Sequence, residues 1–142
     1  MTETKKSLPE DDLVEVAVKE LFTRKAQDVA VLDLRGLTNL TDWIVVATCS
    51  SEVQLASALG GVRRVLRCEN TPALGAEAGP KARWGVLDYG SVIVHVFLDE
   101  AREFYQLERL WRDAPRRECK AEDYPTPTYE ATETFEADEE QW

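Results

Sequence analysis

The stretch from Trp84 to Asp113, WGVLDYGSVIVHVFLDEAREFYQLERLWRD, constrains this chain more than any other. Trp84, Val86 and Leu87 form a first apolar run. Asp88-Tyr89-Gly90-Ser91 follows, with a glycine where a tight turn needs positive φ. Val92 to Phe97 is then β-branched with period-two alternation. Val92, Val94 and Val96 share one face; Ile93, His95 and Phe97 share the other. The spacing predicts a hairpin with strands apolar on both sides, which demands cover on both. Asp99 can cap a helix in which Phe104, Leu107 and Trp111 recur at helical spacing.

The rest of the chain reads as elements that supply that cover. Ser7-Leu8-Pro9-Glu10 has capping-box spacing, and Leu13, Val16, Ala17 and Leu21 follow on one stripe, so a helix is expected over about 10–25. Val29 to Leu34 reads as a strand ending at Arg35-Gly36. Leu37 to Thr41 is a loop. Trp43 to Ala47 is unbroken apolar sequence, a central strand. Ser51 with Gln54 can box a second helix in which Leu55, Leu59, Val62 and Leu66 share a face. Gly60-Gly61 inside it costs roughly 1 kcal/mol per glycine, which points to a close packing partner. Arg63, Arg64 and Arg67 fall in its last turns, where the dipole favours cations, and read as a solvated face. A brief edge strand is possible near residues 73–76. Ala114-Pro115 ends the last helix, and 116–142 read as a mobile tail.

The order is α-β-β-α-(β)-β-β-α: an α/β (α+β) domain with a mixed sheet flanked by helices. The expected division is an arm over 1–9, a domain over 10–115 and an acidic tail over 116–142.

Charge and cysteine usage narrow the function classes. The net charge is −10, and residues 118–142 hold nine acids against Lys120 alone. No basic footprint of a nucleic-acid binder is present; a basic protein surface is the better charged partner. No run of about 18 apolar residues would span a membrane, and the N-terminus has neither a secretory nor a transit pattern. Cys49, Cys68 and Cys119 lack metal-site spacing and fit reduced, cytoplasmic thiols. No cofactor is expected.

Candidate catalytic residues stand without partners in the sequence pattern. His95, the one histidine, sits between valines and reads as a hydrogen-bonded core or interface imidazole. Cys49 stands between a strand and a helix N-terminus, where a thiol pKa can fall, but no second histidine accompanies it. Phosphate-binding glycine motifs are missing. Asp33, Asp42 and Asp88 are single acids near strand ends, without the Asp-x-Asp pairing of two-metal chemistry. What remains is a surface: Trp84 and Tyr89 on the hairpin, and Tyr105 off the apolar stripe, beside Glu108 and Arg109. Exposed aromatics next to acids are anchors of protein interfaces.

The blocks LDLRGLTNLTDWIVVATCSS, WGVLDYGSVIVHVFLDEAREFYQLERLW and the closing DAP resemble the ribosomal silencing factor (RsfS, or Iojap) family. The likeness runs from about Glu10 to Pro115. It implies a small fold related to nucleotidyltransferases but without their catalytic residues, and a homodimer. It also implies binding to a basic ribosomal protein on the intersubunit face of the large subunit, which blocks small-subunit joining and represses translation; in some members it implies a part in large-subunit maturation. Carried over by position, the docking residues are Trp84, Asp88, Tyr89 and Tyr105; Glu108, one turn on, is added on physical grounds. Cys49 and Glu52 depart from the glycine and basic residue usual in the family, the acidic tail is longer, and Gly60-Gly61 makes the second helix less regular. Two competing readings stand beside this one: a nucleotidyltransferase-fold enzyme using Asp33 or Asp88 with Mg²⁺, and a dimeric adaptor without a ribosomal target.

Overall fold

The computed structural model describes residues 7–78 and 82–125, with the backbone alone at Phe104 and Tyr105. The elements are α1 (Glu10–Thr23), β1 (Gln27–Asp33), β2 (Trp43–Cys49), α2 (Glu52–Cys68), β3 (Gly75–Glu77), β4 (Trp84–Asp88) and β5 (Val92–Leu98). They are followed by α3 (Asp99–Tyr105), α4 (Leu107–Leu110) and β6 (Arg116–Glu118). Six strands form one sheet in the order β3-β4-β5-β2-β1-β6. The β2–β5 pair is parallel and the others are antiparallel, so the sheet is mixed, as the interleaved pattern predicts.

Strand register sorts the side chains into two faces. Gly85, Leu87, Val92, Val94, Val96, Trp43, Val45 and Ala47 share the first. Helices α1 and α2 cover it, burying Leu13, Val14, Ala17, Val18 and Leu21 from one and Leu55, Leu59, Val62 and Leu66 from the other. Gly61 is where these helices meet: a Cβ there would lie 2.5 Å from Arg24 Nε. The helix stays continuous through both glycines, and at Gly61 the Arg24–Glu20 pair of α1 takes the space of a side chain. Gly85 makes a similar approach to α2, where a Cβ would stand 2.0 Å from Leu59 Cδ1.

The caps differ from the expected boxes. Helix α1 starts after Pro9 with no side-chain cap, and Glu10 instead accepts the Trp43 indole N–H at 2.7 Å. At α2, Ser51 accepts from the Gln54 backbone N–H. Gln54 Oε1 turns to the Ser50 N–H, and its Nε2 donates to the carbonyls of Arg24 and Lys25. The side chain thereby ties α2 to the end of α1 rather than closing a box. Leu98, not Asp99, occupies the cap position of α3, and no side chain caps it.

Two expectations are corrected at the C-terminal end. The amphipathic stretch after β5 is not one helix: Gln106 has φ 50° and breaks it. A left-handed non-glycine residue is costly, and the ion pairs described below hold it. The fold also runs beyond Pro115. Arg116–Glu118 pair antiparallel with β1, and Arg117 and the Tyr124 hydroxyl both donate to Glu15 on α1, while the Tyr124 ring tilts against Phe22. The sequence hides this strand because it is short, charged and at the sheet edge, where such residues guard against mispairing. The remainder of the tail, with Tyr129, Phe135 and Trp142, lies outside the described residues.

Candidate functional site

Among the described residues, the second face of the sheet is covered less evenly than the first. Over β1, β2 and β6 it is closed by polar wiring from α3 and α4. Arg102 forks onto Glu108 at 3.0 and 2.8 Å and donates to the Asp28 carbonyl and Thr48 Oγ1 at 2.6 and 2.8 Å. Arg116 on β6 reaches the same Glu108 carboxylate. This pair of cations holds the Glu108 pKa down to about 2, the Arg102 hydrogen bonds contributing most, against partial burial. Asp28, itself at φ 51° beside the β1 bulge, and Gln106 line the hollow around Arg102.

Toward β4 the cover among the described residues is thinner: Trp84, Val86, Asp88 and Ile93 are half-buried, whereas His95 and Phe97 are buried. Trp84, Val86 and Asp88 form a row along β4, opposite Phe97, His95 and Ile93 on β5. The Trp84 indole N–H donates to His95 Nδ1 at 3.0 Å, and its ring stacks on Phe97 with centroids 5.1 Å apart. Burial pushes His95 down to about 4, and acceptance at Nδ1 places the proton of the neutral ring on Nε2. His95 is thus a hydrogen-bonded core imidazole, as read from the sequence, and its partner is the tryptophan. Glu77, Ala78, Ala82, Trp84 and Val86 line an open hollow. A half-exposed tryptophan with fixed orientation beside a carboxylate is suited to a basic, apolar-tipped partner.

The expected docking residues divide accordingly. Trp84 and Asp88 share one face of β4, four residues apart on one strand, about 13 Å. Asp88 Oδ1 also accepts the Gly90 N–H at 2.8 Å, shaping the turn. Tyr89 is not exposed, contrary to expectation. It points to the opposite face, is 7% accessible, and its hydroxyl has no hydrogen-bond partner. The period-two alternation continues through the turn and carries its ring under α2. Glu108 is engaged by Arg102 and Arg116 rather than free beside Arg109. Tyr105 belongs to α3 by its backbone, and its side chain lies outside the described residues, as does that of Phe104. Glu77 and Val86 were missed by the sequence reading. Only strand pairing, not spacing, puts β3 beside Trp84.

The catalytic alternatives find no geometry. Asp33 takes the Arg35 fork at 2.9 and 2.8 Å, which lowers its pKa. Strands β2 and β5 separate it from Asp88, roughly 14 Å at ordinary strand spacing, and the two carboxylates lie on opposite faces. Cys49 is buried, and desolvation drives its thiol up to about 12, the reverse of the activation its position suggested. Among the described residues no cluster of three or more histidines, cysteines and acids could hold a metal ion, and no helix is long and apolar enough to cross a membrane.

Comparison with known proteins decides the family. The model of "ribosomal silencing factor during starvation" (RsfS) matches residues 5–142. The chain belongs to the ribosomal silencing factor family. The RsfS of Halalkalibacterium halodurans is 31% identical over 109 residues, covering 77% of this chain and 93% of that protein. The RsfS of Haemophilus influenzae is 33% identical over 99 residues, covering 70% and 97%. A crystal structure of a Chromobacterium violaceum protein superposes with a TM-score of 0.71 at 30% identity, covering 74% of this chain and 88% of that one. The RsfS family match extends past Pro115, where the resemblance read from the sequence stopped.

Proposed function

We propose that the protein is an antiassociation factor. It docks on a basic ribosomal protein at the intersubunit face of the large subunit, occupies surface the small subunit must touch, and so represses translation. No bond is made or broken, and the fold is that of a nucleotidyltransferase relative without catalytic residues. The protein acts in the cytoplasm as a homodimer. The observation that carries this reading is Trp84, half-buried, held by His95 and Phe97 and lining a hollow with Glu77. Trp84 supplies the buried anchor, while Asp88 and Glu77 steer a basic partner. Family membership supports the ribosomal target.

Co-sedimentation with purified subunits tests it. The protein should pellet with free large subunits and not small ones, and should reduce reassociation. Trp84→Ala should weaken binding by roughly 2 kcal/mol, the scale of an interface hot spot, with Tyr105→Ala next. Unchanged binding of both variants would refute the site. Unimpeded subunit joining at saturating protein would refute the mechanism.

A further inference from the structure

Helix α2 carries a feature that docking on a basic protein leaves unused. Between Glu52 and Glu69 the chain has no acid, although it has 27 acids in all, and that interval holds Arg63, Arg64 and Arg67. Arg63 and Arg67 stand one turn apart on one flank of the helix. Arg67 is exposed, while Arg63 and Arg64 are half-buried. The helix that carries them packs on β4 and β5, with Leu59 against Gly85. The carboxylate and tryptophan row and the arginine stripe therefore belong to opposite sides of the β4–β5 sheet.

A basic protein partner would repel this stripe. A polyanion would attract it, and an otherwise acidic chain would reject polyanions everywhere else. We propose that the Arg63–Arg64–Arg67 face of α2 contacts the phosphate backbone of ribosomal RNA next to the docked ribosomal protein. This rests on the docking reading above. The division of charge then fixes orientation, since only one pose sets carboxylates against protein and guanidinium groups against RNA. The contact is sequence-independent, because phosphates position without specifying. Arg63 and Arg64 also interact within the chain, so the proposed contact exchanges or extends those interactions.

The test uses the full-length chain and purified large subunits across 50–200 mM salt. Arg63→Gln/Arg64→Gln/Arg67→Gln should bind about tenfold more weakly at the low end, with a log–log salt slope flatter by about 2, as expected for two or three lost phosphate contacts. The corresponding triple lysine variant should bind within a few-fold of wild type. Trp84→Ala should lose affinity with its slope intact, which separates the two surfaces. Cys68, exposed and adjacent to Arg67, provides a direct reporter. With Cys119→Ser in the background, a benzophenone attached there should cross-link to RNA, giving a nuclease-sensitive product. An unchanged slope in the glutamine variant, or a loss in the lysine variant equal to that in the glutamine one, overturns the proposal. So do cross-links confined to protein, whether a ribosomal protein or the chain's own acidic tail. If wild type fails to bind large subunits at all, the docking reading itself falls.

Discussion

The two faces of the sheet are built by different physics. The α1/α2 face is mainly an interdigitation of Leu, Val and Ala, with Gly85 set against Leu59 and Gly61 against the Arg24–Glu20 pair. The α3/α4 face relies on a few directed contacts: Arg102 and Arg116 on Glu108, and Trp84 on His95. The first gains from area and shape, which no single polar group controls. The second stands or falls with individual donors and acceptors. On the proposed docking reading this face recognises a partner, and its side chains take their orientation from polar partners beneath them.

The largest expected effect is on the packed face. Leu59→Ala should cost about 3 kcal/mol in denaturant unfolding. Gly85→Ala should cost about 1–3 kcal/mol, because its methyl would overlap a buried leucine. The double variant should cost clearly less than the two together, since removing Leu59 makes room for the methyl. Full additivity would mean that α2 and β4 do not share this contact.

The wired face should respond to pH in two separable windows. Glu108 is held at about 2, below its ordinary 4.5, so its contribution is present above pH 4.5 and is lost as pH falls toward 2. Glu108→Gln should cost about 2 kcal/mol at neutral pH, because two cations lose their anion, and should flatten the lower window. It should also loosen the Gln106 break, seen as faster amide exchange over 99–110. His95 is held at about 4, below its ordinary 6.5, so the unfolded chain binds the proton first and stability declines as pH drops from 6.5 to 4. His95→Phe should remove that upper slope while freeing the Trp84 indole, a smaller cost of about 1 kcal/mol. It should also weaken large-subunit binding without touching the Trp84 ring. Equal slopes in wild type and both variants would sink the distinction between the faces.

The packed face was legible in the sequence because periodicity encodes it. The helix stripes, the WIVVA strand and the alternating hairpin follow from apolar spacing; the close partner expected at Gly60-Gly61 is found at Gly61, and it is the polar Arg24–Glu20 pair. The wired face was not, because its contacts follow neither helix nor strand periodicity. Arg102 with Asp28 and Thr48, and Glu108 with both Arg102 and Arg116, leave no local pattern. The helix break at Gln106 escaped for the same reason: Leu107 and Trp111 keep helical spacing while a tertiary ion pair overrides it. Of the residues proposed for docking, Trp84 and Asp88 share one face of β4 and are half-buried. Tyr89 was misplaced because a turn position suggests exposure, yet strand alternation decides where its ring goes.

Tyr89 also gives the smallest and most discriminating prediction. Its hydroxyl is enclosed beneath α2 without a hydrogen-bond partner, and burial drives its pKa upward. A buried donor left unpaired opposes folding, so Tyr89→Phe should be neutral or stabilising by up to about 1 kcal/mol in chemical denaturation. A residue of the other face should behave in the opposite way: Trp84→Phe keeps most of the stack on Phe97, loses the bond to His95, and should reduce subunit binding more than stability. If Tyr89→Phe instead weakened large-subunit binding as strongly as Trp84→Phe, its hydroxyl would have to leave the core on docking. The hairpin turn would then be a moving part, and the packed face would no longer be the passive one.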